Sequence, residues 1–265
     1  MLTTQRKKLL LQRLARDGQI VAKTLAAELA ISEDTVRRDL RELAQAGQLQ
    51  RVHGGALPAS AAVGDLAVRA QVSVDEKVEL GRHGATLVKP GQLVILDGGT
   101  TALQVALHLP PDLRATLVTH SPNIAVALAA HPRIEIIVLG GRLFRHSMVN
   151  VGAAVIDAAS RLRADLYLMG VTGVHPDAGL STGDDEEAAV KRALHQRAAE
   201  TVVLASSEKL MAASPFVIAP ARELSALVVV AATPERVLRA LRAAVPNTQR
   251  VPRAGTAAAP PRPGR

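Results

Sequence analysis

The chain has no cysteine and no tryptophan, and only three aromatic side chains in 265 residues: Phe144, Tyr167 and Phe216. Without thiols there is no disulfide, zinc–thiolate centre, iron–sulfur cluster or thiol catalysis, and a reducing cytoplasm suits the sequence. The scarcity of aromatics excludes binding single-stranded nucleic acid by stacking bases on aromatic platforms. No apolar run reaches the roughly 18 residues that cross a bilayer. Met1 to Lys8 is basic but lacks the apolar segment and small-residue cleavage site of a signal peptide, so no membrane partner is expected. His83, His108, His131, His175 and His195 are scattered without metal-ligand spacing. Neither GxxxxGK[ST] nor GxGxxG occurs, which removes the two common nucleotide cradles. No metal and no cofactor are expected.

What is present starts with charge. The net +8 is regional: residues 1–57 hold ten Lys/Arg against six Asp/Glu, residues 58–245 hold eighteen of each, and residues 246–265 hold four Arg and no acid. A basic end segment on a neutral body points to a polyanion-binding module with something else behind it. A solvated surface would give the same arithmetic, so charge alone leaves both readings open.

The first 57 residues carry the pattern of a winged helix-turn-helix. A helix over Thr4–Asp17 is stopped by Gly18, and a short amphipathic helix follows over Val21–Ala30. Ser32 is a good N-cap for a third helix, Glu33–Gln45, with acids in its first turn and Val36, Leu40 and Leu43 on one face. Gln48–Ala56, with a glycine pair at its bend, reads as a β-ribbon. The third helix is sized for a major groove. Ser32 and Thr35 would meet phosphates or base edges, Arg37 and Arg38 guanine or phosphate, and Arg51 and His53 the flanking backbone. Asp39 is expected to orient Arg38. An ordinary three-helix module with a basic face remains the alternative on pattern alone. Ser32-Glu33-Asp34-Thr35-Val36-Arg37-Arg38-Asp39-Leu40, followed by Arg51-Val52-His53-Gly54-Gly55-Ala56, resembles the N-terminal signature of the DeoR/GlpR family of bacterial sugar-operon regulators.

Residues 58–73, rich in Ala with Pro58 and Gly64, read as a linker. Residues 74–245 then alternate helices with short apolar runs: 93–96, 115–118, 134–139, 166–169, 201–204 and 227–230. Such runs between helices imply an α/β domain whose parallel strands are covered on both faces. Nearly every run ends in Gly, Ser, Thr, Asp or Lys, at the sheet edge where open α/β folds bind ligands. Asp97-Gly98-Gly99-Thr100-Thr101 fits a phosphate cradle, since small residues let backbone N–H groups approach an anion at a helix N-terminus. Glycines that merely make turns would read the same at any single loop.

The resemblance covers this half too, through Arg69 with Glu76-Lys77, Asp97–Thr101, Thr119 with Asn123, Gly140-Gly141, Glu187 with Lys191-Arg192, and Lys209. It implies a C-terminal α/β sensor domain similar to phosphopentose isomerases that senses a phosphorylated sugar. Gly98, Gly99, Thr100 and Thr101 would hold the phosphate beside Asp97. Thr119, Asn123, Gly140 and Gly141 would line the pocket. Glu187 and Lys191, four apart on one helix, could pair with each other or reach the ligand, and Lys209 would contact the phosphate directly. Three departures leave the effector's identity open: Ser206 where the family has a strand-end Asp, His120-Ser121 where an Asn pair is common, and Phe144 where Arg is frequent.

The implied function is a regulator, a repressor of a carbohydrate or polyol catabolic operon, that binds double-stranded operator DNA as a homo-oligomer and answers to a phosphorylated sugar. The rival is a sugar-phosphate isomerase with an appended DNA-binding module. That chemistry needs a strand-end carboxylate, and Met169-Gly170-Val171-Thr172-Gly173 offers none; Asp184-Asp185-Glu186-Glu187 reads instead as a helix's first turn. No catalytic residue is expected. A nonspecific architectural DNA binder would leave the large domain without a purpose. Residues 246–265 read as a disordered basic tail adding nonspecific contact to DNA.

Overall fold

The computed structural model describes residues 2–252. In the N-terminal module, α1 (Thr3–Asp17) ends where Gly18 turns left-handed and donates its N–H to the Leu14 carbonyl. β1 (Ile20–Val21), α2 (Ala22–Glu28), α3 (Glu33–Gln45), β2 (Gln50–Val52) and β3 (Gly55–Leu57) follow. Leu10, Leu14, Leu25, Val36, Leu40, Leu43 and Leu49 close one core. Val21 was expected to start the second helix; it is instead extended and pairs with Gly55, so the ribbon is a three-stranded sheet ordered β1-β3-β2. A Cβ at Gly55 would fall 1.7 Å from the Ile20 carbonyl oxygen, which explains the glycine at that crossing.

Residues 58–73 are not a loose linker. Ala59 bridges Ala213, the Ser60 hydroxyl donates to the Thr172 carbonyl, and a 3-10 turn (Ala61–Val63) leads to α4 (Leu66–Ala70), capped by Asp65. Small residues gave this stretch a linker's composition, yet Ser60 and Ala62 are buried against the large domain.

That domain runs α5 (Val74–Leu87), β4 (Leu93–Leu96), α6 (Thr100–Leu107), β5 (Thr116–Thr119), α7 (Pro122–Leu128), β6 (Glu135–Val138), β7 (Arg142–Phe144), β8 (Val149–Val151), α8 (Ala153–Ser160), β9 (Ala164–Met169), β10 (Gly173–His175), β11 (Gly179–Thr182), α9 (Asp185–His195), β12 (Ala198–Ala205), β13 (Phe216–Ala219), β14 (Ala226–Val229), α10 (Glu235–Ala244) and β15 (Thr248–Arg250). The six apolar runs form strands of a seven-stranded parallel sheet ordered β15-β14-β12-β9-β4-β5-β6. Alternate residues feed two cores. Val94, Leu96, Leu117, Leu166, Leu168, Val202 and Leu204 pack with α5, α6 and α7; Ile95, Val118, Tyr167, Met169 and Val203 pack with α8, α9 and α10.

The seventh strand corrects the expected tail. Residues 248–250 pair with Leu227–Val229, because without them β14 would leave its outer hydrogen-bonding groups open; residues 253–265 of the expected tail lie outside the described residues. Two small antiparallel sheets, β10-β11-β13 and β7-β8, escaped the sequence reading. Most of their strands are three or four residues of mixed polarity, and the one apolar run among them, Phe216–Ala219, has no α-helix beside it in sequence to mark it as part of the alternating pattern. Among the described residues no helix is long and apolar enough to cross a membrane.

Candidate DNA-reading face and anion cavity

On the head, Ser32 caps α3. Its Oγ accepts from the Thr35 N–H at 3.2 Å and shares a 2.8 Å hydrogen bond with the Thr35 hydroxyl. Arg37 donates to Glu33 from Nε (3.0 Å) and Nη2 (2.7 Å), and Arg38 donates to Glu42 at 3.4 Å. These are i,i+4 pairs on the solvent face, with the two arginine side chains 55% and 77% exposed. Exposed pairs of this kind contribute little and exchange readily, so both guanidiniums can turn to phosphate or guanine. Arg51 and His53 are exposed on and beside the wing. Asp39 does not orient Arg38. It is buried and takes a bidentate grip from Arg6 of α1, locking the recognition helix to the first helix.

In the large domain the strand ends converge on Asp97, which is fully buried. Tyr167 Oη donates to its Oδ2 at 2.6 Å, the Gly170 N–H at 2.8 Å and Lys191 Nζ at 2.7 Å. Its Oδ1 accepts from the Gly98 N–H at 2.7 Å and lies 2.8 Å from His120 Nε2, whose Nδ1 is 2.8 Å from the Asn150 carbonyl. Burial would raise this carboxyl; the charge of Lys191 and the hydrogen bond of His120 more than reverse that and hold it well below the usual carboxylate range. Burial pulls Lys191 down, but Asp97 and Glu187 outweigh it and raise the ammonium. Burial and the Asp97 charge push the Tyr167 phenol well up. A carboxylate with five partners has no lone pair to offer a ligand; Asp97 instead fixes the loop that bears the cradle.

The cradle opens beside it. Gly99, at φ +101°, bends the chain into α6, whose first N–H groups have no partner within the helix. Gly98, Gly99, Thr100 and Thr101 line one wall of a cavity; Arg69, Lys77, Lys191, Lys209, Glu187 and Glu208 supply its charges. Four of these six charged groups are already matched. Lys191 lies 3.3 Å from Glu187, and Glu187 accepts from Ser147 at 3.1 Å. Lys77 donates to the Arg69 and Val72 carbonyls, both at 2.6 Å, and lies 3.6 Å from Glu208. Two cations are not matched. Nε and Nη2 of Arg69 are buried and have no hydrogen-bond partner. Lys209, 7% exposed, makes one long contact, 3.4 Å to the Thr101 hydroxyl. Burial pushes Lys209 down to about 8; Glu208 opposes the fall, and Lys77, Arg69 and Lys191 add to it. Guanidinium nitrogens withdrawn from water without a hydrogen bond are costly, and an anion between Arg69 and Lys209 would relieve that cost.

The structure thus gathers Gly98, Gly99, Thr100, Thr101, Glu187, Lys191 and Lys209 around one cavity. Others lie elsewhere. Asn123 lines a neighbouring groove with Gly99, Thr100 and Arg145. Thr119 is buried and accepts from the Ser121 N–H. A Cβ on Gly141 would strike Val155 and the Val151 carbonyl, so that glycine serves the packing of α8, while Gly140 is exposed. Asp184 caps α9 by accepting from the Glu187 N–H at 2.9 Å, the role expected for the acidic cluster. The sequence reading noted Arg69 and Lys77 without placing them in the site. Their signal, two basic residues eight apart across an assumed linker, becomes legible only once α4 folds over the cavity.

Comparison with known proteins agrees with this organisation. The family model described as the DeoR-like helix-turn-helix domain matches residues 6–61, and the DeoR C terminal sensor domain matches residues 72–230. The HTH-type transcriptional regulator GlpR of Haloferax volcanii is 33% identical over 214 residues, covering 79% of this chain and 83% of the relative. The HTH-type transcriptional repressor GlcR of Bacillus subtilis is 32% identical over 203 residues (76% and 78%), and the glycerol-3-phosphate regulon repressor of Escherichia coli is 30% identical over 207 residues (78% and 82%). Among solved structures, the full-length sorbitol operon regulator SorC of Klebsiella pneumoniae overlays at a TM-score of 0.42 with 14% identity, over 88% of this chain and 97% of that one. Both family models match in the order read from the sequence, one over the head and one over most of the sheet: the chain belongs to the DeoR family of DNA-binding transcriptional regulators.

Proposed function

We propose that this regulator represses a carbohydrate or polyol catabolic operon and that a phosphorylated sugar bound in the large domain changes its affinity for operator DNA. The observation that carries the reading is the meeting of the α6 N-terminus with two cations that lack a close counter-ion: buried Lys209 and half-buried Arg69, whose Nε and Nη2 are out of reach of water and have no hydrogen-bond partner. Backbone N–H groups of Gly99 to Thr101 and these two side chains take the phosphate, with Gly98, whose N–H is held by Asp97, shaping the wall beside them; Glu187 and Lys191 face the rest of the ligand. Thr119, Gly140 and Gly141 support the loops around it, while Asn123 stands apart in the neighbouring groove. On the head, Ser32, Thr35, Arg37, Arg38, Arg51 and His53 make the DNA contacts. The protein works in the cytoplasm as a homo-oligomer, since paired heads match paired half-sites. The relative named as a glycerol-3-phosphate regulon repressor is in keeping with a small phosphate ester as effector. A panel of sugar and polyol phosphates, each with its unphosphorylated parent, tests this by thermal shift on the full chain. Stabilisation by a phosphate ester and not by its parent is expected. A parent that stabilises as well as its ester would refute the phosphate reading.

A further inference from the structure

The anion cavity does not end at the cradle. The space among Arg69, Lys209 and the α6 N-terminus is about 20 Å³, far short of a whole sugar ester. Past Ala62, Arg69, Ser147, Thr172 and Glu187 it continues into a cleft of about 440 Å³, within the usual range of small-molecule sites. The far wall of that cleft belongs to the head: Ala44 at the end of α3, then Gly47, Leu49 and Gln50 leading into the wing.

Among apolar walls that include Leu49, Phe144 and Pro215, the cleft offers a few polar groups to a hydroxyl. Thr182 is fully buried there and its Oγ1 has no hydrogen-bond partner. Buried hydroxyls are nearly always satisfied, so an orphan on a cleft wall points to a missing polar group. Ser147 and Glu187 are hydrogen-bonded to one another at 3.1 Å and front the same space. The groove on the other side of α4, the second way out of the cradle, is lined by Leu66, Ala67, Ala70, Leu103 and Met148, with Asp65, Thr100, Asn123 and Arg145 as its polar members, and among the described residues no buried side-chain polar atom on its walls lacks a partner.

We infer that the cleft between head and sensor is a second subsite, which takes the polyhydroxyl portion of the ester whose phosphate sits in the cradle. This rests on the phosphate reading above. Thr182, Ser147 and Glu187 bind the ligand's hydroxyls on the sensor side, and the ligand's far end lies against Gln50 and the end of α3. The effector therefore reaches the DNA-reading head by contact. The phosphoryl group supplies affinity, and the length of the polyol chain sets how strongly the head is moved. A ligand shifts a two-state equilibrium only by its differential affinity for the two states, and only a ligand long enough to touch both domains has such a difference here.

The test uses the full chain and a duplex enriched from a random library by this protein. Inorganic phosphate, glycerol 3-phosphate and sorbitol 6-phosphate are each titrated by calorimetry, and duplex affinity is read by anisotropy at saturation. Inorganic phosphate is expected to bind while changing duplex affinity less than about 2-fold, and the longer ester to change it about 10-fold or more. Thr182→Val and Ser147→Ala should each weaken the longer ester about 5- to 10-fold with inorganic phosphate binding unchanged. Asn123→Ala, in the alternative groove, should leave both unchanged. The inference is overturned if inorganic phosphate alone moves duplex affinity as much as the longer ester does, or if Asn123→Ala weakens the ester while Thr182→Val and Ser147→Ala do not. Should neither inorganic phosphate nor any ester bind, the phosphate reading itself fails, a separate result.

Discussion

The head and the sensor domain treat charge in opposite ways. On the head, Arg37–Glu33 and Arg38–Glu42 are solvent-facing pairs along one helix. In the sensor, Asp97, Lys191 and Glu187 are buried and hydrogen-bonded to one another and to Tyr167, His120 and Ser147. Water competes for the first kind at every moment, which makes them available to a polyanion. Water is absent from the second kind, so they are fixed in place and determine the shape of the loop after β4. Between these extremes stand Lys209, buried, and Arg69, half-buried, neither with a close counter-ion. A buried cation without a counter-ion is tolerated where binding a ligand supplies one.

The sharpest way to break the contrast is to remove charge from Asp97. Asp97→Asn keeps the shape and leaves Lys191 buried with Glu187 alone; breaking a buried pair in this way costs about 3–5 kcal/mol. Urea denaturation should show that loss. Because the folded-state carboxyl lies below its ordinary value, it contributes stability that is present at neutral pH and lost as pH falls below about 4. The wild type should therefore lose stability steeply in that acid range and the variant should not. An Asn variant as stable as the wild type would mean that the cluster is ornamental.

Lys209→Met should act with the opposite sign. In the ligand-free protein the ammonium is held down to about 8, so it is more readily protonated unfolded than folded. Its cost is fully present below pH 8 and fades as pH rises toward about 10.5. Replacement by Met should stabilise the empty protein by about 1–3 kcal/mol and abolish stabilisation by phosphate esters. Destabilisation by Met would show that Lys209 is a structural cation already satisfied by Glu208.

How far these features could be read from sequence follows the same contrast. Periodicity exposed what apolar side chains determine: α3 from Glu33 to Gln45 matches its expected bounds, and the six apolar runs are the six strands expected of the sheet. Polar side chains inform differently. Asp97 was legible as a strand-end residue beside glycines, yet four of its five partners, His120, Tyr167, Gly170 and Lys191, lie 23 to 94 residues away, so its direction, into the protein and not toward a ligand, could not be read. Asp39 failed for the same reason, since its partner Arg6 is distant in sequence. The segment 58–73 failed because Ala, Ser and Gly disclose little about burial. β15 failed because Thr-Gln-Arg at a sheet edge has no pattern of its own.

The smallest structural effect, and the largest functional one relative to it, is expected on the head. Arg37→Ala and Arg38→Ala each remove one exposed pair, so the melting temperature should stay within a few degrees of wild type. If the arginines exchange their carboxylate partners for DNA, each variant should weaken duplex binding about tenfold, and the two changes should separate by salt. A phosphate contact flattens the dependence of affinity on salt by nearly one counter-ion, whereas a guanine contact leaves the slope and relaxes the preferred sequence at one position. Glu33→Gln sharpens the comparison further. It frees Arg37 from its partner without removing the guanidinium, so DNA affinity should rise slightly where Arg37→Ala lowers it. If Glu33→Gln lowers affinity instead, the Glu33–Arg37 pair is itself the contact-ready arrangement, and the head, like the sensor, depends on ion pairs that hold a side chain in place.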